Sequence, residues 1–298
     1  MPPIKSFTES TLLDLVTADG RSGFMVRIAR NVDEGTSWVW LVTYGPDGVR
    51  GFVEDRFVCA GHRTEDDATG AEYVVKMPVD AGTEATLHRR GSLETPLGGH
   101  CVVDVLGHSS LEIPRGSGSD RMRVEAAFTV PDRIAGSNLP GRSESIVDVE
   151  ATLTVNGVTS HIRGKGQFHE QLQDTPRFDT PFTYMSLRGA DLSLIGLRGP
   201  RAGGGVVISV DGPEQIPRLE IDAYDKDDPW RRRDFGCGVD ATGAPRFFGY
   251  LEPTVRYSIP IGDGRRPSAI VRGELNGREV TGFLNDWTPP GSGPQSSA

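Results

Sequence analysis

The feature that most restricts the fold is a run of strict polar/apolar alternation that stops at an Asn-Gly pair and resumes beyond it. Residues 146–155 read Ile-Val-Asp-Val-Glu-Ala-Thr-Leu-Thr-Val, Asn156-Gly157 follows, and 158–163 continue as Val-Thr-Ser-His-Ile-Arg. A two-residue connection between paired strands needs positive φ at both positions, which Asn and Gly tolerate, so the segment predicts a tight antiparallel hairpin. Leu275-Asn276-Gly277-Arg278 repeats the signal near the end of the chain.

Period-two patterning extends well beyond these hairpins. It marks residues 23–30, 37–44, 49–57, 71–76, 84–89, 100–106 and 122–130 in the first half. In the second half it marks 182–187, 191–197, 205–210, 218–223, 247–258, 268–273 and 278–284. The 38 glycines and 21 prolines are dispersed between these segments, as turns between many short strands require. Only 10–18 and the surroundings of 228–234 carry a weak helical pattern. The expected class is all-β. Each Asn-Gly hairpin is followed by a glycine, an aromatic and a carboxylate: Gly166, Phe168 and Glu170, then Gly282, Phe283 and Asp286. Chance agreement of two common hairpins is one explanation. The other is an internal repeat of two antiparallel β lobes, barrel or sandwich, packed together. The expected division is residues 1–164, 165–287, and a tail, 288–298, that has nothing to bury after Trp287 and reads as disordered.

Charge narrows the partners. With 32 Lys+Arg against 41 Asp+Glu the net charge is −9, and Arg231-Arg232-Arg233 is the one short basic run. Phosphate backbones require clustered cations, so nucleic acid is not an expected partner. No stretch approaches the ~18 apolar residues of a membrane helix. Residues 1–10 lack the apolar core of a signal peptide. Cys59, Cys101 and Cys237 form no CxxC pair and no even framework, which suits a reducing, cytoplasmic setting and small core thiols. The sequence sets no oligomeric state.

Chemistry concentrates in residues 164–184, which hold His169, Glu170, Gln171, Gln173, Asp174, Arg177 and Tyr184 between two strongly β regions. Parity from the Asn156-Gly157 turn places Phe168, Glu170 and Leu172 on the apolar side with Val158, Ser160 and Ile162. His161, Arg163, Gln167, His169, Gln171 and Gln173 fall on the other. A bulge at Gly164 or Gly166 would reverse this. Among apolar neighbours the Glu170 carboxyl would be raised in pKa by desolvation and could act as a general acid. The structural alternatives are a Glu170 pair with Arg177 or Arg188, an interface histidine at His169, an Arg177 pair with Asp174 or Asp179, and a packing role for Tyr184.

No metal or cofactor is implied. His100, Cys101 and His108 lack ligand spacing, and Cys59 with His62 reads as core cysteine beside a nearby histidine. Gly203-Gly204-Gly205 lacks the Lys-Ser/Thr of a phosphate loop, and neither a GxSxG elbow nor a GxGxxG opening a helix is present.

The block Gly164-Lys165-Gly166-Gln167-Phe168-His169-Glu170 resembles the Gly-x-Gly-aromatic-x-Glu signature of the lipocalin-like family that contains hydroxyneurosporene synthase (carotenoid 1,2-hydratase), kievitone hydratase and AttH-like proteins, with one extra residue before the aromatic. The strand 181–187, the strand 23–30 and Trp38-Val39-Trp40 are similar in order. Where the family often has Trp-Gly after the glutamate, this chain has Leu172-Gln173-Asp174. The resemblance implies two lipocalin-like lobes and an acid–base enzyme for an apolar polyene, isoprenoid or polyketide-like molecule. Water addition and cyclisation, as in related Diels–Alderases, are both implied outcomes. In this reading Glu170 and His169 are catalytic, and Phe168, Gln171, Gln173, Arg177 and Tyr184 contact the substrate. Two other classes are weighed beside it: a non-catalytic binder of hydrophobic ligands, and a carbohydrate-binding β-sandwich module, which would need aromatics along an exposed groove.

Overall fold

The computed structural model describes residues 9–31, 36–60, 70–76, 84–90, 97–109, 111–115, 118–130, 135–136, 142–172, 178, 180–200, 203–239 and 241–291. Among them are twenty β-strands and no helix, so the chain is all-β, as its alternation predicts. The strands form two antiparallel sheets.

The first sheet contains β1 (Glu9–Val16), β2 (Gly23–Asn31), β3 (Thr36–Gly45), β4 (Gly48–Ala60), β5 (Gly70–Lys76), β6 (Glu84–Arg90), β7 (Leu97–Ser109), β8 (Asp120–Val130), β9 (Ala135–Gly136), β10 (Arg142–Val155) and β11 (Val158–Leu172). Strand β11 pairs with β10 on one side and with β1 on the other, which wraps this sheet into a barrel-like lobe without a free edge there. The second sheet contains β12 (Phe182–Arg188), β13 (Leu192–Arg198), β14 (Gly203–Ser209), β15 (Gly212–Ile216), β16 (Leu219–Ile221), β17 (Arg233–Val239), β18 (Pro245–Ile261), β19 (Gly264–Leu275) and β20 (Arg278–Trp287). It is open, ordered β15-β14-β13-β12-β20-β19-β18-β17-β16.

Both Asn-Gly turns form as expected, with φ of 50° at Asn156 and 51° at Asn276 and positive φ at each following glycine. The asparagine side chains do equivalent work. Arg121 N–H donates to Asn156 Oδ1 at 2.9 Å, and Phe248 N–H donates to Asn276 Oδ1 at 2.9 Å. In each sheet the strand after the turn returns to that sheet's first strand: β11 to β1, and β20 to β12. The two sheets thus share a closing device.

Two sequence expectations meet a different arrangement. The weakly helical 10–18 is mostly strand, because Leu13 and Leu15 point into the barrel while Leu12, Asp14 and Val16 point out, a period of two. Residues 228–232 form turns ahead of β17. The seam read near residue 165 lies inside β11, and the chain passes from one sheet to the other between Leu172 and Phe182. Gly164 and Gly166 do not bulge. The β10–β11 register runs unbroken from Arg142↔Gln171 to Val155↔Val158. Gly166 is there because a Cβ would lie 1.9 Å from the Asp14 carbonyl oxygen of β1. The tail from 292 on, Gln173 and Arg177 lie outside the described residues.

Three apolar layers result. Leu13, Phe24, Ile28, Leu41, Val124 and Phe168 fill the barrel, with Phe168 stacked on Phe128 at 4.9 Å between ring centroids. Leu187, Leu194, Val207, Leu251 and Val271 form the core of the second sheet. Between the lobes, the outer faces of β1 to β4 meet β18, β19 and β20 through Leu12, Met25, Trp40, Val42, Tyr257, Ile259 and Phe283. Strands β1 to β3 are therefore buried on both faces. This accounts for their nearly continuous apolar runs, since strands that face a core on each side lose the polar half of the alternation.

Cys101 and Cys237 are buried and unpaired, and burial pushes both thiols up to about 12. Unfolded thiols ionise near a pH of about 8.5. The stabilisation from holding these protons is complete below that point and is lost as pH rises toward 12. Iodoacetamide at pH 8 will leave both cysteines unmodified in the native protein and alkylate them in urea, read by peptide mass spectrometry. Gly166→Ala will lower the urea midpoint, with a loss of roughly 2 kcal/mol or more from the clash with β1.

Candidate active site

Parity along β11 sends Gln167, His169 and Gln171 out of the barrel and Phe168 and Glu170 to its inner side. The outward residues are not solvated. Gln167, His169 and Gln171 are buried, because the second sheet covers that face. Strand β12 supplies the opposing surface. Its even positions, Phe182, Tyr184, Ser186 and Arg188, run along the seam while Met185 and Leu187 enter the second core.

A polar network occupies one end of this seam. Glu144 of β10 pairs with Arg142. The Tyr184 hydroxyl donates to Glu144 Oε1 at 2.9 Å, and the Gln167 amide donates to the Tyr184 oxygen. Arg142 lies 4.8 Å over the Tyr184 ring, and its Nη2 is 3.4 Å from His169 Nδ1. With a cationic donor at Nδ1, a neutral imidazole carries its hydrogen on Nε2. Burial pushes the Tyr184 phenol up, and the Glu144 charge pushes it further, so the hydroxyl stays protonated. Burial opposes charge on Arg142, but Glu144 and Tyr184 outweigh it and hold the guanidinium above its ordinary value.

Next to this network two cations approach one indole. Arg27 of β2 lies 4.9 Å from the Trp40 ring centroid, and Arg266 of β19 lies 5.1 Å from it. Arg27 Nη2 donates to Ser10 at 3.2 Å, and Arg266 Nη2 donates to Asn285 Oδ1 at 2.9 Å. Burial depresses both guanidinium groups, Arg266 to about 10, and each also feels the positive charge of Arg142.

Farther along the seam, Asp14 of β1 is clamped between lobes. Arg188 Nη2 donates to Asp14 Oδ2 at 2.6 Å, and Gln167 N–H donates to Asp14 Oδ1 at 2.8 Å. Burial pushes this carboxyl up, while Arg188 and the Gln167 amide pull it back. Arg188 also opens onto a groove of about 1340 Å³ between the lobes, walled by β10 and β11 on one side and β18 to β20 on the other. Its lining mixes apolar groups with charges of both signs, Lys165, Arg272, Asp148 and Glu274 among them.

Of the residues expected from sequence, the structure brings His169, Gln171 and Tyr184 to the seam. Phe168 belongs to the barrel core. Glu170 is half-buried on the barrel side of β11, opposite Thr11 and Ser143, so it faces away from its neighbour His169. Arg188 pairs with Asp14. Arg27, Trp40, Arg142, Glu144, Gln167 and Arg266 were not expected as site residues. The signal available for Arg27 is a charge in mid-strand between Val26 and Ile28, where both neighbours are buried. Arg266 carries no such mark, since Arg265 and Pro267 flank it. Among the described residues no cluster of three His, Cys, Asp or Glu side chains could hold a metal.

No family model and no curated protein matches the chain. Solved structures do. A Nitrosomonas europaea protein assigned as AttH superposes with a TM-score of 0.59 at 9% identity, covering 94% of this chain and 92% of its own. CghA gives 0.59 at 11% identity over 94% and 87%, and its structure with Sch210972 gives 0.56. Kievitone hydratase from Nectria haematococca gives 0.50 at 10% identity over 96% and 90%. At such identities the likeness establishes the shared two-lobed β fold. No helix among the described residues is long and apolar enough to cross a membrane.

Replacing Asp14 with Asn keeps an acceptor for Gln167 N–H but leaves Arg188 as an uncompensated buried cation. Urea unfolding will show a loss of about 3–5 kcal/mol. The double variant Asp14→Leu/Arg188→Met will recover part of that loss, because the unpaired charge is gone.

Proposed function

We propose that this chain is a cofactor-independent acid–base enzyme acting on an apolar polyene, isoprenoid or polyketide-like molecule held in the seam between its two lobes, with water addition or ring closure as the outcome. The observation that carries the reading is a dehydrated set of proton-bearing and hydrogen-bonding groups in an otherwise apolar interface. His169, Gln167, Gln171 and Glu144 are each at most 4% exposed; Leu12 stands opposite His169 across β1 and β11, and Tyr184 packs against Ile195 and Val206. Polar groups in such surroundings act on a bound molecule without competition from bulk water.

The roles follow from placement. His169, with Arg142 at Nδ1, offers Nε2 as the proton-carrying atom. Tyr184 gives its one hydroxyl hydrogen to Glu144 and accepts from Gln167, so it positions the network beside His169 and donates to a ligand only by releasing Glu144. Gln171 has a buried amide oxygen with no donor among the described residues, which suits a ligand hydroxyl or water. The fold shared with kievitone hydratase and CghA supports a small-molecule enzyme of this type, and the substrate assignment rests on the seam's own chemistry. Glu170 is the competing proton donor, and it would place the reaction inside the barrel rim instead.

A second reading, a non-catalytic binder, draws on Glu144. Its Oε1 already accepts from Arg142, Tyr184 and Gln167, an arrangement that also serves as a rigid lock between lobes. Native mass spectrometry of gently purified protein, with extraction of any co-purified molecule, identifies the ligand class for assay. With that ligand, His169→Gln and Tyr184→Phe will each lower turnover by at least about 100-fold, the range of a positioned acid or base, while Glu170→Gln leaves it within a few-fold. The reverse pattern moves the chemistry to the barrel side. Binding without turnover in the unaltered protein establishes the binder.

A further inference from the structure

Arg266 is a buried cation without an anion. It is 5% exposed, and its polar partner is the neutral amide oxygen of Asn285. Among the described residues no carboxylate lies within ion-pair distance of it. The nearby acid, Asp286, is already engaged: Thr183 Oγ1 donates to one oxygen at 2.6 Å and Arg233 Nη1 to the other at 2.7 Å. Arg266 Nε has no acceptor, and neither does Trp40 Nε1, the indole nitrogen of the ring that Arg266 covers. Two buried N–H donors, on side chains in cation–π contact, thus have no acceptor among the described residues. Arg142, the neighbouring cation, has Glu144 as its counter-ion, and Arg266 has none among the described residues.

A guanidinium taken out of water is costly unless an opposite charge meets it. Its planar fork matches a delocalised oxyanion better than a single hydroxyl. We propose that the seam recognises a substrate bearing a planar oxyanion, a carboxylate or a stabilised enolate, which Arg266 and the Trp40 N–H bind while the apolar body lies along the inter-lobe layer. This rests on the seam being the ligand site and specifies which apolar molecules it selects: those with one anionic end.

The test uses cis-parinaric acid, a fluorescent polyene carboxylate, and its methyl ester, titrated into the full chain at pH 8. The acid is expected to bind at least roughly ten-fold tighter than the ester, as a hydrogen-bonded charge contact contributes. Arg266→Gln should abolish that preference without changing the affinity for the ester, and Arg266→Lys should restore part of it. Circular dichroism and a thermal melt establish that the variants are folded. Equal binding of acid and ester by the unaltered protein overturns the oxyanion inference and leaves the apolar seam standing. A preference that survives in folded Arg266→Gln also overturns it, because the anion is then read elsewhere. If neither probe binds, the seam is not a site for apolar ligands and both readings fall. The wild-type comparison needs no variant, so the inference is decided even if Arg266→Gln does not fold.

Discussion

One carboxylate joins the two halves of this molecule. Asp14 accepts the Gln167 amide of the strand that closes the barrel, and it accepts Arg188 from the first strand of the second sheet. Barrel closure and lobe docking are therefore stabilised at the same atoms. Where Asp14 takes the Gln167 N–H with its side chain, β11 must approach β1 closely, and Gly166 is the residue without a Cβ that permits it. The outward faces of β11 and β12 are brought together by this contact, and the polar network of Glu144, Gln167, His169 and Tyr184 is assembled on them.

The seam handles its charge in a consistent way. Arg27 and Arg266 lie on Trp40, Arg142 lies on Tyr184, and Arg188 lies near Phe283 at 5.4 Å. A guanidinium is weakly hydrated and planar, so an aromatic face recovers some of the interaction lost with water. Lysine, a compact and strongly hydrated charge, recovers less of that interaction at these positions. The apolar layer and the cations are parts of one surface, with aromatic rings as the common material.

Much of the architecture was legible in the chain. The Asn156-Gly157 turn set the parity of β11, and that parity placed Gln167, His169 and Gln171 on one side and Phe168 and Glu170 on the other. What parity could not reveal is which side would be covered. The polar side of β11 is dry because a second sheet, distant in sequence, packs on it. Arg142, Glu144 and Arg266 join the site through strands whose local patterns carry no sign of it. Strand β11 runs through the expected division at 164/165, because Gly164 and Gly166 relieve crowding against β1 instead of punctuating a turn. Residues 10–18 carry a weak helical pattern because strands buried on both faces lose their alternation.

Trp40 is 1% exposed and has one guanidinium from each lobe against its ring. The electrostatic environment of its indole is thus a function of the distance between the sheets. If the lobes part, the second-sheet cation leaves the ring while the first-sheet cation stays. In a variant whose other three tryptophans are replaced by phenylalanine, the emission energy of Trp40 becomes an optical gauge of lobe separation that needs no attached label.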